Sequence, residues 1–118
     1  MTLEELCRHL PLEVRAAPAK LSTEVTGGYA SDLLSCVMAK ARAGYVWVTL
    51  QSHPNIVAVA SLANLAGIII TEGMNPDAAA IEKAEEQGVP ILTTELTTFT
   101  VVGRLFELGV LGVDDIRA

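Results

Sequence analysis

The chain has 118 residues, of which 51% are hydrophobic and 19% charged, and its formal net charge is −6. A chain of this length can build one hydrophobic core but not two, so we expect a single domain over residues 1–118. Nucleic-acid backbones and anionic membranes bind clustered Lys and Arg, and the eight basic residues here are scattered, so neither partner is expected. We see no secretory signal pattern and no apolar run of membrane-spanning length, and therefore expect a cytoplasmic protein.

The first predicted elements are a short helix and an edge strand. Thr2 and Glu5 have the spacing of a capping box, and apolar residues follow at the helical period as far as Leu10. Pro11 ends this helix. Residues 12–16 then alternate between apolar and charged side chains, which predicts a strand with one wet face, able to join a sheet at its edge in the antiparallel sense.

A turn and a second helix are predicted next. Gly27-Gly28 follows a short extended piece and is predicted to be a turn with positive φ. Ser31 is expected to cap a helix that ends near Gly44. The inward-facing residues of that helix are predicted to be Leu33, Leu34, Val37, Met38 and Ala41.

The centre of the chain predicts three strand–helix units in succession. Residues 45–49, 67–71 and 89–93 are continuous apolar runs typical of strands buried on both faces, and their centres recur every 22 residues. Helices are predicted between them at 54–66 and from Asn75-Pro76-Asp77 to Gly88. A last helix is expected to start at Thr97 or Thr98. The sequence thus predicts an α/β fold with three layers, α/β/α, around a mainly parallel sheet.

Small polar residues follow each of the three central strands. In open α/β sheets ligands bind at the carboxyl edge, beside helix N-termini that favour anions. We therefore predict a pocket there for a small anionic metabolite or a nucleotide. Its ligand-binding residues are predicted to be Thr49, Gln51, Ser52, His53, Asn55, Thr71 and Thr93. The alternative is that Ser52, Asn75 and Thr97 merely cap helices.

A catalytic function is the alternative from another class. His53 lies in the strand-end loop and is one of two histidines, so a small hydrolase or transferase could use it as a base. No nucleophile or carboxylate partner is fixed near it by sequence, and the phosphate-binding patterns GxxxxGK[ST] and GxGxxG are absent. We therefore predict no catalytic residues and no cofactor. Cys7 and Cys36 lack metal or disulfide spacing, so no metal site is predicted and both are expected to be free thiols.

The apolar excess of the chain predicts self-association. The helix at 54–66 carries apolar side chains around most of its circumference, more than one face of a sheet can cover. We therefore expect a homodimer, with contacts through this helix or through the helix at 33–41. A partner protein is the other binding partner considered.

Three stretches carry a family resemblance. Residues 26–35 read TGGYASDLLS, residues 46–55 read VWVTLQSHPN, and residues 58–60 read AVA. In these residues the chain resembles the DRTGG domain family, and the resemblance extends over roughly residues 14–109. The sequence departs from the family signature in one respect, because Glu24-Val25-Thr26-Gly27-Gly28 keeps the Thr-Gly-Gly but lacks the Asp-Arg.

The resemblance implies a fold similar to the N-terminal domain of bacterial HPr kinase/phosphorylase, which is separate from the kinase site of that enzyme. The family also occurs as an accessory domain in pyrophosphatases with CBS domains, in some phosphotransacetylases and as free-standing proteins. It provides no catalytic residues to carry over. We therefore expect a free-standing, non-enzymatic regulatory domain that senses a small metabolite or nucleotide, or mediates protein interaction.

Overall fold

The computed structural model describes residues 1–115, so the last three residues of the predicted domain, 116–118, lie outside the described part. Five strands and five α-helices follow one another, with a short 3-10 helix at Pro18–Lys20. The strands are β1 (Glu13–Ala16), β2 (Gly27–Ala30), β3 (Tyr45–Thr49), β4 (Gly67–Ile70) and β5 (Ile91–Thr93). The helices are α1 (Leu3–His9), α2 (Leu34–Lys40), α3 (Asn55–Leu62), α4 (Ala78–Gln87) and α5 (Thr98–Glu107).

All five strands form one sheet in the order β1-β5-β4-β3-β2. Strands β2 to β5 are parallel, and Trp47 of β3 lies between Tyr29 of β2 and Ile68 of β4. Strand β1 pairs with β5 in the antiparallel sense, with Glu13 opposite Thr93. The predicted mainly parallel sheet and the antiparallel edge strand are therefore confirmed.

Helices cover both faces of the sheet, as predicted. The parallel strands are added one after another in the same direction, and right-handed crossovers then place α2, α3 and α4 on the same face. Tyr45 and Trp47 point into the core beneath these helices, whereas Val46 and Val48 point into a second core beneath α1 and α5. Every residue of β3 is buried. The alternation of side chains along β3 thus builds two cores with one strand.

The predicted turn at Gly27-Gly28 is wrong, because these residues begin strand β2. Neither glycine has a positive φ. A Cβ on Gly27 would lie 2.5 Å from Cε1 of Tyr45, and one on Gly28 would lie 3.2 Å from Cγ1 of Val110. The two glycines are needed for close packing rather than for a turn, and they give the sheet a fourth parallel strand that the sequence pattern did not predict.

The predicted start of α2 is also wrong. The helix begins at Leu34, and the hydroxyl oxygen of Ser31 accepts a hydrogen bond from the Leu33 amide in the connection before it. Because the helix starts later and is short, Leu33 and Met38 are exposed instead of facing inward. Gly44 has a positive φ of 82°, but it lies in the loop beyond the helix, which ends at Lys40.

The predicted start of α1 and the predicted end of α4 are confirmed. Thr2 caps α1 by accepting a hydrogen bond from the Glu5 amide at 3.2 Å, and Gly88 ends α4 in the left-handed conformation. Cys7 and Cys36 are free, half-buried thiols. Burial, with a smaller contribution from Glu4, raises the pKa of the Cys7 thiol. Within residues 1–115, no helix is long and apolar enough to cross a membrane.

Candidate functional site

The threonines at the ends of the central strands are buried, and two of their hydroxyls are hydrogen-bonded within the protein. Thr49 Oγ1 donates to Oδ1 of Asp32 at 2.8 Å. Thr71 Oγ1 and Thr98 Oγ1 lie 2.6 Å apart and share a hydrogen bond. Thr93 is buried at the end of β5. Parallel topology brings these three predicted site residues to one edge, where the hydrogen bonds of Thr49 and Thr71 stabilise the strand ends.

Asp32 organises the end of β3, although the sequence analysis did not single it out. Its Oδ1 accepts hydrogen bonds from Thr49 Oγ1 and from the Leu50 amide at 2.9 Å, and its carbonyl accepts one from Gln51 Nε2 at 3.2 Å. The indole of Trp47 donates to the neighbouring Ser31 carbonyl at 2.8 Å. The loop after β2 is thereby fastened to the end of β3.

The other predicted ligand-binding residues lie in the loop between β3 and α3 and, in the case of Asn55, at the first residue of α3. His53 Nδ1 accepts a hydrogen bond from the Asn55 amide at 3.0 Å and so caps α3 with its imidazole. The Ser52 carbonyl accepts one from the Asp77 amide at 3.0 Å, which ties this loop to the start of α4. Among the described hydrogen bonds, none uses Ser52 Oγ, His53 Nε2 or the Asn55 side chain. These polar atoms are free to meet a ligand from solvent.

Helix capping was the alternative explanation for Ser52, Asn75 and Thr97, and only one of these three side chains caps a helix. Thr97 caps α5, where its hydroxyl accepts from the Thr100 amide. Ser52 does not cap α3 with its side chain. Asn75 does not cap α4, which begins after Asp77, and its amide oxygen instead accepts from Arg15 at 3.2 Å. The capping explanation therefore accounts for Thr97 but not for Ser52.

A carboxylate also occupies the edge between β4 and α5. Glu72 has a positive φ of 63°, and its Oε2 accepts a hydrogen bond from the Thr98 amide at 2.8 Å. A carboxylate at a helix N-terminus is favoured by the helix dipole. Without Glu72, the Thr98 amide would be available to a bound anion. Glu72 therefore removes one anion-binding position from the site.

A polar cavity of about 140 Å³ lies at the other side of the edge, and Thr93 is in its wall. Glu13 and Glu95 line this cavity together with Arg15, whose guanidinium donates a hydrogen bond to the side chain of Asn75. Two carboxylates against one guanidinium make this cavity acidic, which disfavours an anionic ligand. The described residues contain no group of three or more His, Cys, Asp or Glu side chains able to hold a metal ion.

The geometry around His53 bears on the catalytic alternative. A general base needs a partner that holds its ring, and a substrate proton within hydrogen-bond reach. The Nδ1 atom accepts from a backbone amide, so the ring is oriented by the helix start that it caps. Within residues 1–115, no carboxylate is hydrogen-bonded to this imidazole. The arrangement serves helix capping and leaves Nε2 open to solvent.

The Thr-Gly-Gly segment has a structural role at the start of β2. The Thr26 amide donates to the Gly44 carbonyl at 2.9 Å, and its hydroxyl donates to the Ala43 carbonyl at 3.1 Å. Val25, at the position of the signature arginine, is buried in the core beneath α1 and α5. An apolar side chain can be buried at this position, whereas a charged side chain would lose its hydration there.

These observations define a small α/β/α domain. The side chains at its strand-end edge are polar and mostly hydrogen-bonded within the protein, and Ser52, His53 and Asn55 lie beside this edge. The DRTGG domain model matches residues 25–108, and the chain therefore belongs to the DRTGG domain family. A comparison with curated protein sequences gives no match.

A solved structure shares this fold. It is the CBS and DRTGG domains of the regulatory region of Clostridium perfringens pyrophosphatase, in complex with the activator diadenosine tetraphosphate. The TM-score is 0.74 at 17% sequence identity, and the match covers 99% of this chain and 50% of that chain. The present chain thus spans half the length of that structure, and at this identity the likeness shows the fold alone.

Proposed function

We propose that this chain is a regulatory domain that binds a nucleotide or a related phosphorylated metabolite and has no catalytic activity of its own. Its membership in the DRTGG family supports this proposal, as does the fold it shares over 99% of its length with a pyrophosphatase regulatory region. That neighbour is described in complex with a nucleotide activator, diadenosine tetraphosphate. The shared regulatory fold is the observation that carries the proposal.

The binding site that we propose is the exposed loop at the carboxyl edge, centred on Ser52, His53 and Asn55. The hydroxyl, imidazole and amide of these residues are neutral donors suited to phosphate oxygens. Thr49 and Gln51 fix the start of the loop through their bonds to the Asp32 segment. Thr71 and Thr93 are buried at the ends of β4 and β5, and we propose that they bound the site.

The charge of the surroundings limits the affinity. Asp32 and Glu72 place carboxylates at the same edge, and the formal net charge of the whole chain is −6. Like charges repel a polyphosphate, and salt screens this repulsion over about 8 Å at physiological ionic strength. We therefore expect modest affinity for phosphate-containing ligands, which increases with salt concentration.

Binding can be tested by thermal shift and titration with diadenosine tetraphosphate, ATP and inorganic phosphate as probes. At a probe concentration ten times Kd, mass action stabilises the folded state by about 1.4 kcal/mol. For a domain of this size, that corresponds to a rise in melting temperature of about 5 °C. No rise with any probe up to millimolar concentration would contradict the proposal.

The site is tested with Ser52→Ala and the matched control Ser61→Ala, at the other end of α3. Because Ser52 Oγ makes none of the described hydrogen bonds, its removal should leave stability almost unchanged. Loss of a hydrogen bond to a charged phosphate should weaken binding about tenfold or more. Equal affinities for the two variants would place the ligand elsewhere.

We also make proposals about the domain organisation, location and self-association of the chain. We propose that residues 1–118 form one domain, and two free thiols fit a reducing, cytoplasmic location. We also propose that the chain forms a homodimer, with a partner protein as the other class of binding partner. The exposed hydrophobic side chains support self-association.

A further inference from the structure

The outward face of α5 carries a stripe of exposed apolar side chains. Phe99 is 89% exposed, Phe106 58% and Val102 40%. Their spacing of three, four and seven residues places them on one face of the helix, while Val101 and Leu105 face the core. Two phenylalanines turned towards solvent on a single helix are unfavourable for an isolated domain. This surface, called the α5 stripe below, therefore calls for a covering partner.

Gly103 lies on the same outward face, between the two phenylalanines. A glycine inside a helix costs about 1 kcal/mol relative to alanine. A Cβ at this position would meet nothing within 4 Å, so packing within the chain does not require the glycine. A glycine on an exposed helix face does allow a second backbone to approach closely.

A largely apolar cavity of about 240 Å³ opens beside the α5 stripe. Val102 and Phe106 form one wall, Tyr29 and Val48 contribute from the sheet, and Val113 closes it from the C-terminal segment, where Asp114 and Asp115 add two exposed carboxylates to the lining. An apolar cavity of roughly 150 Å³ is enough to bind benzene, so this one can hold the ring of a phenylalanine. The chain thus presents both an exposed aromatic ring and a cavity able to accept one.

The positions of ring and cavity are self-complementary. Phe99 and Phe106 are seven residues apart, about 10.5 Å along the helix. If two copies of α5 cross in antiparallel fashion at Val102 and Gly103, Phe99 lies against Phe106 of the partner subunit, at the mouth of its cavity. The two-fold axis repeats this contact in the other direction, as an isologous interface requires.

We propose that the chain dimerises through the α5 stripe, with Phe99 of each subunit entering the cavity of the other. This inference rests on the homodimer proposed above and replaces the predicted contacts through α2 or α3. Helix α3 packs between α2 and α4, and its buried residues are Ile56, Val57, Val59 and Ala60. The two exposed phenylalanines of one subunit offer about 300 Å². A stable dimer buries about 800 Å² per partner, so the cavity walls and the helix flanks must supply the rest.

The test compares Phe99→Lys with the matched control Leu62→Lys. Leu62 is 76% exposed at the end of α3, away from the α5 stripe, and either substitution changes the formal net charge from −6 to −5. A difference between the variants therefore cannot come from net charge. Since both side chains are exposed, urea unfolding of the monomer should be nearly the same for both.

Sedimentation velocity of the full chain from 1 to 200 µM provides the measurement. We expect a dimer for the wild-type chain and for Leu62→Lys, and a dimer dissociation constant at least about 100-fold higher for Phe99→Lys, because two rings leave the interface. A wild-type monomer at 200 µM would overturn the inference. So would a Phe99→Lys dimer of unchanged affinity, which would move the interface elsewhere. Neither result would alter the Ser52 ligand test, so the two proposals fail separately.

Discussion

Asp32 offers the sharpest test of how the strand-end edge is held together. Its Oδ1 accepts hydrogen bonds from the Thr49 hydroxyl at 2.8 Å and from the Leu50 amide at 2.9 Å. Asp32→Ala removes both acceptors at once. The Thr49 side chain is only 1% exposed, so its hydroxyl loses a partner that water cannot easily replace. Asp32→Asn keeps an oxygen at the same position and removes only the charge.

The magnitude follows from the two bonds. Hydrogen bonds to a charged group contribute about 1.5–3 kcal/mol each when water is excluded. Asp32 and Leu50 are exposed, so water recovers much of the bond to the Leu50 amide. We therefore expect Asp32→Ala to lower the free energy of unfolding by about 2 kcal/mol, and Asp32→Asn by about 1 kcal/mol or less.

The assay is urea unfolding followed by circular dichroism, with Asp114→Ala as a control at an exposed aspartate of the C-terminal segment. A double-mutant cycle with Thr49→Val should give a coupling energy of about 1 kcal/mol between Asp32 and Thr49. If Asp32→Ala costs no more than Asp114→Ala, or if the coupling energy is zero, the carboxylate does not hold the edge and the reasoning is wrong.

Four further outcomes are expected. Gly27→Ala should lower the free energy of unfolding by about 2 kcal/mol, because the new methyl overlaps the Tyr45 ring; an unchanged urea midpoint would contradict this. Tyr45→Phe should raise the free energy of unfolding by about 1 kcal/mol, since the buried Tyr45 hydroxyl has no hydrogen-bond partner among the described residues. A loss of stability would instead show that this hydroxyl has a hydrogen-bond partner. Asn64 has a positive φ of 55°, so Asn64→Ala should cost about 1 kcal/mol while Asn64→Gly should be nearly neutral; equal costs would argue against backbone strain. In a Cys36→Ser background, the raised pKa lowers the thiolate fraction of Cys7, so this thiol should react with iodoacetamide more slowly than an exposed thiol, and the rate should increase as the pH rises.

The strands that could be predicted from the sequence are those whose own residues favour an extended, buried conformation. Tyr45–Thr49 and Gly67–Ile70 are uninterrupted apolar runs, and a run of this kind is stable only where both faces are covered. The Gly27–Ala30 strand contains two glycines and no β-branched residue, so its local preference is not extended. It is a strand because it pairs with β3, where Gly27 leaves room for the ring of Tyr45.

Of the candidate site, the positions of the strand-end threonines could be predicted from the sequence. Topology alone places Thr49, Thr71 and Thr93 at one edge, because parallel strands end together. Their hydrogen-bond partners could not be predicted, since Thr98 contacts Thr71 across 27 positions of the chain and Arg15 contacts Asn75 across 60. Such pairs depend on the order of strands in the sheet. The predicted ligand role of Ser52, His53 and Asn55 stays a prediction until a ligand is tested.

The sheet order also has a consequence for the route by which the chain folds. Each parallel pair joins segments close in sequence, as Gly27 and Tyr45 or Val46 and Gly67 are, whereas β1 and β5 bring together Glu13 and Thr93, 80 positions apart. Closing this longer loop costs about 1 kcal/mol more chain entropy than closing a 20-residue one. We infer that the parallel units assemble first and that the N-terminal segment docks late. Native-state hydrogen exchange should then show the β1 amides opening in a smaller, less costly fluctuation than the amides of β3 and β4.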